Sequence, residues 1–232
     1  MSDEIDLQTA FASAATLLGK GGYAVQARFY PYAGLKSTIR YEGGKVAAKV
    51  SDGYVAADLD SLTGLALDLM IKLFRIRKVD ERTEIFLSKF YSLNGKGVYE
   101  LHESLRRKRG RERKGASVGS NYNLLPVMEK VIAEYPDVFA GIERPSILWS
   151  RHASRRRLAF YDAAFNQIVV SRKFDSLGAP QFFLEYLIFH ELLHAKHDTK
   201  YGKRRRVHHR EFHLDEKKFR NFSEAQELME RI

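Results

Sequence analysis

The chain of 232 residues contains no cysteine. It therefore forms no disulfides and no thiolate metal sites, and any metal must be bound by His, Asp or Glu. No apolar run approaches the roughly 20 residues that a membrane-spanning helix needs. The acidic start MSDEID also differs from a secretory signal peptide, which opens with basic residues. These absences predict a cytoplasmic protein that makes no contact with a membrane.

Basic residues exceed acidic ones by ten, and many of them are clustered. Three runs stand out, at residues 106–114, 151–157 and 203–210. A positive field of this size attracts polyanions, and nucleic acid is the usual one. The alternative is an ordinary solvated surface with a flexible linker. Nucleic acid is thus a candidate partner through these three runs.

Residues 1–105 are predicted to form an α+β region. A helical pattern over residues 4–18 is followed by alternating apolar residues from Tyr23 to Phe29. Two more strand patterns flank the turn sequence EGG at 42–44, which is typical of a hairpin. We predict an antiparallel β-meander here, with its aromatic residues in the core. Helical patterns then cover about 60–78 and 80–92.

The composition changes at residues 106–120, which are first dense in Arg and Lys and then rich in Gly and Ser. This stretch is predicted to be a linker before a second domain, residues 121–232. That domain begins with a helix that ends near Tyr135 and a strand with the sequence SILWS. Two strands then flank a turn at 162–166, and a last amphipathic helix runs from about Glu211.

The sequence FLEYLIFHELLHAKHD, residues 183–198, places three polar residues in an apolar helix. His190 and His194 are one turn apart on one face, so both can bind one Zn²⁺ at about 2.0–2.1 Å. Glu191 lies about 100° around the helix and can act as a base on zinc-bound water. Burial of these groups is costly unless something pairs with them. This cost favours a zinc site over two half-buried structural histidines.

A catalytic zinc needs a third protein ligand and one open position. The downstream sequence RRRVHHREFHLDEKKF offers several candidates, and spacing alone does not choose among them. They are His208, His209, His213, Glu211 and Glu216. His197 is expected to be a surface histidine at the helix end, directed away from the metal.

The C-terminal half resembles the SprT-like metallopeptidases and their small bacterial YgjP-type relatives. The resemblance is carried by ILWSRHASRRRLAFYDAAFNQIVVS, then HELLHAKH, then HHREF at 208–212, and it covers roughly residues 124–222. It implies a zincin-like fold in which a small mixed sheet packs on the HExxH helix. It also implies His190, His194 and His208 as zinc ligands, Glu191 as the general base, and Phe212 as a core residue. Where these families often have Gly after the third His, this chain has His209.

A substrate peptide in a zincin adds to the edge strand nearest the active-site helix. The candidate strands here are Arg157–Tyr161 and its partner Gln167–Ser171. Tyr161 or Arg157 is a candidate donor to the oxyanion.

These features predict a zinc-dependent metallopeptidase that acts on peptides or proteins, with nucleic-acid-associated proteins as candidate substrates. One alternative is an ImmA/IrrE-like regulatory zincin, which Glu211 or Glu216 as the third ligand would favour. Another is a nucleic-acid-binding module with a non-catalytic metal site, which would have no need of Glu191 as a base. Residues 1–120 lie outside the resemblance; they are a candidate substrate adaptor, latency segment or extra layer of one fold.

Overall fold

The computed structural model describes residues 2–93, 95–197 and 206–231. The protein is mixed α+β and divides into two compact units, Met1–Arg111 and Glu112–Ile232. The boundary falls inside the stretch 106–120 that the sequence predicts as a linker. Within the described ranges, none of the helices has both the length and the apolar character needed to cross a membrane.

The stretch 106–120 is divided between the two units rather than forming a separate segment. Residues 106–109 are the last turn of a helix of the first unit. Farther along, the carbonyl of Ala116 accepts a hydrogen bond from the backbone N–H of Trp149, at 3.0 Å, in the second unit. A Cβ atom at Gly115 would lie 3.2 Å from a side-chain atom of Leu148, so this backbone passes close to the second unit's sheet.

The first unit packs helices on one three-stranded sheet. In chain order its elements are α1 (Ser2–Leu17), β1 (Ala24–Tyr30), β2 (Ser37–Glu42), β3 (Lys45–Ser51), α2 (Leu59–Phe74), α3 (Glu81–Ser92) and α4 (Lys96–Arg109). Alternate residues of β3, such as Val46 and Val50, are buried against α1 and α2. Asp58 caps α2 by accepting a hydrogen bond from the backbone N–H of Ser61, at 2.9 Å.

The predicted antiparallel meander is wrong in one of its two pairings. Strands β2 and β3 form the expected antiparallel hairpin around Gly43 and Gly44, both of which have positive φ. Strand β1, however, pairs in parallel with the other edge of β3, so the order is β1-β3-β2. Alternation of apolar residues is the same in parallel and antiparallel strands, and it therefore could not distinguish the two pairings.

The second unit has its own sheet and its own apolar core. Its elements are α5 (Leu124–Glu134), α6 (Pro136–Phe139), β4 (Ser146–Trp149), β5 (Ala159–Asp162), β6 (Gln167–Val170), α7 (Gln181–Lys196), α8 (Arg210–Glu216) and α9 (Phe222–Arg231). Strand β6 lies in the centre, parallel to β4 and antiparallel to β5. Of the two predicted substrate strands, the one at Gln167–Ser171 is therefore not an edge strand, whereas β5 is.

The last amphipathic helix of the prediction is two helices, α8 and α9. The chain turns between them because Phe219 is buried there, with its ring centroid 5.3 Å from that of Phe189 and 5.4 Å from that of Tyr186. This aromatic cluster packs both C-terminal helices against α7.

Candidate metal centre

Helix α7 is the central element of the second unit and is apolar on most of its sides. It contacts α5, β5, β6, α8 and α9, and its Leu, Ile and Phe residues from 183 to 193 are buried. His190 and His194, by contrast, are only partly buried and lie on the side that faces α8. The helix thus places the two imidazoles at the edge of an apolar core.

The structure brings His208 to these two imidazoles. One ring nitrogen from each of His190, His194 and His208 lies within 4.8 Å of the other two. The Nε2 atoms of His194 and His208 are 3.2 Å apart. Two nitrogens bound tetrahedrally to one ion at 2.0–2.1 Å would be separated by about 3.3–3.4 Å. The donor set and its spacing therefore fit a small divalent cation, although three imidazoles alone do not specify zinc.

The start of α8 explains why His208, and not its neighbour, takes this place. His209 is the N-cap residue, and its Nδ1 accepts a hydrogen bond from the backbone N–H of Phe212, at 3.4 Å. The ring of Phe212 is fully buried, 4.6 Å from the ring of His208 and 4.9 Å from that of His194. The cap and the buried ring fix the start of the helix, and His208 then projects over α7. The predicted core position of Phe212 agrees with the structure.

The other candidate ligands are directed elsewhere. His209 is buried, and its Nδ1 lies 2.8 Å from a carboxylate oxygen of Glu211. His213 makes its contact, at 3.2 Å, with the carboxylate of Glu216. His197 is half-buried rather than a surface residue, and its Nε2 lies 2.9 Å from Asp215. This arrangement gives no support to a ligand role for His209, His213 or Glu211.

Glu216 lies behind the three imidazoles rather than among them. One of its carboxylate oxygens lies 2.7 Å from Nδ1 of His190 and accepts a hydrogen bond from the hydroxyl of Tyr186, at 2.9 Å. Burial raises the pKa of this carboxyl, but the hydrogen bond from His190 and its neighbours outweigh burial and lower the pKa to about 2. An ionised Glu216 holds the proton of His190 on Nδ1, which leaves Nε2 free for a cation. The sequence had offered Glu216 only as a ligand candidate.

Two of the imidazoles are held in their neutral form. Burial, followed by the neighbouring His190, lowers the pKa of His194 to about 3. The same two causes lower the pKa of His208. Only a neutral imidazole can donate a lone pair to a metal, so both rings are ready to bind at neutral pH.

Glu191 is buried beside the imidazoles but does not belong to their cluster. Its side chain lies 4.0 Å from Nε2 of His194, and the backbone N–H of Tyr161 donates a hydrogen bond to its carboxylate. Burial raises the pKa of Glu191 to about 7, against the opposing effects of His190, Tyr161 and Arg157. A carboxylate with this pKa can both accept and return a proton at neutral pH.

The two candidate oxyanion donors lie on or next to β5. The hydroxyl of Tyr161 donates to the side chain of Asn166, at 3.0 Å, across the β5–β6 turn. The guanidinium of Arg157 stacks on the ring of Phe160, 4.5 Å from its centroid. Both side chains therefore already have partners in this structure, and the backbone N–H of Tyr161 bonds to Glu191.

The basic run at 151–157 is exposed in the loop before β5. Arg151, Arg155, Arg156 and Arg157 all have solvent-accessible side chains. Of the run at 203–210, residues 203–205 lie outside the described residues, and Arg206 and Arg210 are exposed.

No protein-family model, curated protein or solved structure matches the chain.

The role of Glu216 can be tested by replacing it with Gln, which has nearly the same shape but carries no charge. We expect Glu216→Gln to weaken Zn²⁺ binding by about 10- to 100-fold, as is typical when a carboxylate that orients a metal-bound His is lost. Competition with a chromophoric chelator measures this affinity. The matched control is Glu211→Gln, which alters a carboxylate that contacts His209 and should leave affinity within about twofold. Equal affinity in the two variants would contradict the orienting role.

Proposed function

We propose that the second unit is an SprT-like zincin and that the protein is a zinc-dependent metallopeptidase. The observation that carries this proposal is the convergence of His190, His194 and His208 beside a buried carboxylate that is not one of the three ligands. A site that bound metal only for structure would have no use for Glu191, whose burial in the core is costly. A set of three imidazole donors suits zinc, which we propose as the ion.

A zinc ion held by the three histidines would act as a Lewis acid that polarises the scissile carbonyl and makes water easier to deprotonate. The protein's own side chains would carry out the proton transfers. Glu191 would accept it from the attacking water and deliver it to the leaving amine. The hydrogen bond from the backbone N–H of Tyr161 orients the carboxylate, and burial raises its pKa to about 7. With this pKa, neither the transfer from water nor the transfer to the amine is strongly unfavourable.

Strand β5 is the proposed binding edge for the substrate backbone. Because the carbonyl of Leu158 accepts a hydrogen bond from the backbone N–H of Ser171 on the β6 side, the backbone groups of Ala159 point to the opposite side. An extended peptide could pair with them by β-augmentation. The scissile bond would then run past Glu191, which is bonded to Tyr161 on this same strand.

The exposed arginines of 151–157 precede this edge directly and would give the substrate channel a positive rim. Arg157 is close enough to Glu191 to influence its pKa. Such a rim would attract acidic segments, or proteins bound to nucleic acid, which we propose as the substrate class.

The peptidase proposal is tested by removing and restoring the metal. Protein stripped with a chelator and reloaded with one equivalent of Zn²⁺ should cleave a fluorescently labelled, unfolded protein such as casein, with and without added DNA. The stripped protein should be inactive. Cleavage that persists in excess chelator would contradict the proposal, as would the absence of cleavage by the fully loaded protein under both conditions.

A further inference from the structure

One face of the sheet in the first unit is uncovered. Helices α1 and α2 pack on the other face, where Ala27, Val46 and Ala48 are buried. The open face carries nine exposed side chains of the three strands: Ala24, Gln26, Arg28, Tyr30, Arg40, Glu42, Lys45, Ala47 and Lys49. We call the cations among them, Arg28, Arg40, Lys45 and Lys49, the basic sheet face.

The charges on the basic sheet face are poorly balanced. Arg28 and Lys49 are register partners on adjacent strands, and the residue on the other side of Lys49 is the neutral Thr38. Glu42 is the single acidic residue within β1, β2 and β3, and it is the register partner of Lys45. The basic sheet face therefore carries an excess of positive charge, which an anionic ligand would neutralise.

An aromatic pair, the exposed Tyr30 and the partly buried Tyr32, adjoins the same cations. The ring centroids of Tyr30 and Tyr32 are 4.7 Å apart, and the Nζ atom of Lys49 lies 5.1 Å from the centroid of Tyr30. Tyr30 is 40% exposed, so the expectation that the aromatics of this region belong to the core does not hold for it. Arg109, in the last turn of α4, donates a hydrogen bond to the carbonyl of Tyr32, at 3.2 Å.

That hydrogen bond places the most basic stretch of the first unit beside the tyrosines. The last turn of α4 reads Arg106, Arg107, Lys108, Arg109. Arg109 is itself paired with Asp52, at 2.6 Å, and the exposed Arg107 and Lys108 extend the positive surface at this end of the sheet. A flat strip of cations with an aromatic platform at one end suits an extended polyanion whose bases are free to stack.

We propose that the basic sheet face, together with Tyr30, binds single-stranded nucleic acid. The phosphates would lie along Arg28, Lys49 and Arg40, and one base would stack on Tyr30. Duplex nucleic acid is disfavoured because its bases are already stacked and cannot reach the tyrosine. The surface lies in the first unit and uses none of the metal-binding residues, so its activity does not depend on the proposed peptidase function.

The test is fluorescence anisotropy with a labelled 20-nucleotide poly-dT strand, the full-length protein and excess chelator, which prevents metal-dependent cleavage. We expect salt-dependent binding that Arg28→Ala/Lys49→Ala weakens by about tenfold or more. The double variant should also lower the slope of log affinity against log salt by about 1.4, since each phosphate contact to a single strand contributes about 0.7. Tyr30→Ala should weaken binding by roughly 5- to 100-fold, as expected for the loss of one stacked base.

The matched control is Arg77→Ala/Lys78→Ala, which removes two exposed cations of the same unit in the loop between α2 and α3. It should change affinity less than twofold. Arg28→Ala/Lys49→Ala should also keep the free energy of unfolding within about 1 kcal/mol of the parent protein, because both side chains are exposed. Three outcomes would overturn the proposal: equal affinity in the two double variants, binding to duplex as tight as to the single strand, or binding to anionic vesicles but not to the oligonucleotide.

Discussion

Replacing Glu191 with Gln should abolish peptide hydrolysis while the metal content stays at one ion per chain. The amide keeps the shape of the side chain but cannot accept the proton of the attacking water. General-base catalysis contributes about 10²–10⁴-fold in rate, so we expect a loss of at least about 100-fold in kcat. The carboxylate lies outside the cluster of three imidazoles, so metal analysis of the purified variant should be unchanged. Full activity in this variant would remove Glu191 from the mechanism.

A loss of activity through misfolding can be distinguished by the stability of the metal-free protein. Burial raises the pKa of Glu191 from 4.5 to about 7 in the folded state, so folding becomes less favourable as pH rises through this interval. Above pH 7 the wild type carries the full cost, at most about 3 kcal/mol, whereas Glu191→Gln carries none. Urea unfolding should therefore show the variant to be more stable than the wild type at pH 8 but not at pH 4.5.

The exposed Glu143 provides the control for this comparison. Glu143→Gln removes the same charge from the surface and should leave the free energy of unfolding within about 0.5 kcal/mol at both pH values. If Glu191→Gln were no more stable than Glu143→Gln at pH 8, burial would not destabilise the ionised carboxylate of Glu191. Its assignment as a base with a raised pKa would then fail.

Replacing His208 with Ala should cost the protein its metal, whereas the same change at His209 should not. His208 contributes one of three imidazole nitrogens within 4.8 Å of one another, and its loss leaves two. Since the loss of a residue that only orients a ligand already costs about 10- to 100-fold in affinity, loss of a ligand should cost more than 100-fold. Isothermal titration with Zn²⁺ measures both variants.

The His209→Ala control should instead weaken folding. It removes the N-cap of α8 and leaves the buried N–H of Phe212 without its acceptor, which costs about 1–2 kcal/mol. The two variants should thus give opposite results. His208→Ala loses metal but keeps its folding stability, whereas His209→Ala keeps metal but is less stable. The reverse assignment of the two phenotypes would show that the chain enters α8 in a different register.

The HELLH part of the site could be predicted from the sequence because its residues lie on a single helix. The spacing of His190 and His194 follows from the period of a single helix, and the apolar residues around them predicted that this helix is buried. Glu191 could be placed next to the pair by the same geometry. The three strands of the second unit and the turn between β5 and β6 were likewise predicted from short strand patterns and a turn sequence.

The rest depended on contacts between distant segments. No pattern in HHREF shows which histidine caps α8, because that choice depends on the packing of Phe212 against His194 of α7. Glu216 became an orienting residue only through the contact with His190, 26 positions earlier. The parallel pairing of β1 was equally invisible, since strand partners are chosen by the path of the chain after residue 30 and not by alternation within the strand.

The position of His208 depends on its spacing from Phe212, because the buried ring of Phe212 and the N-cap His209 fix the start of α8. Insertion of a single residue between 208 and 212 would turn the imidazole away. Proteins that share this site should therefore keep the four-residue interval between the histidine and the phenylalanine.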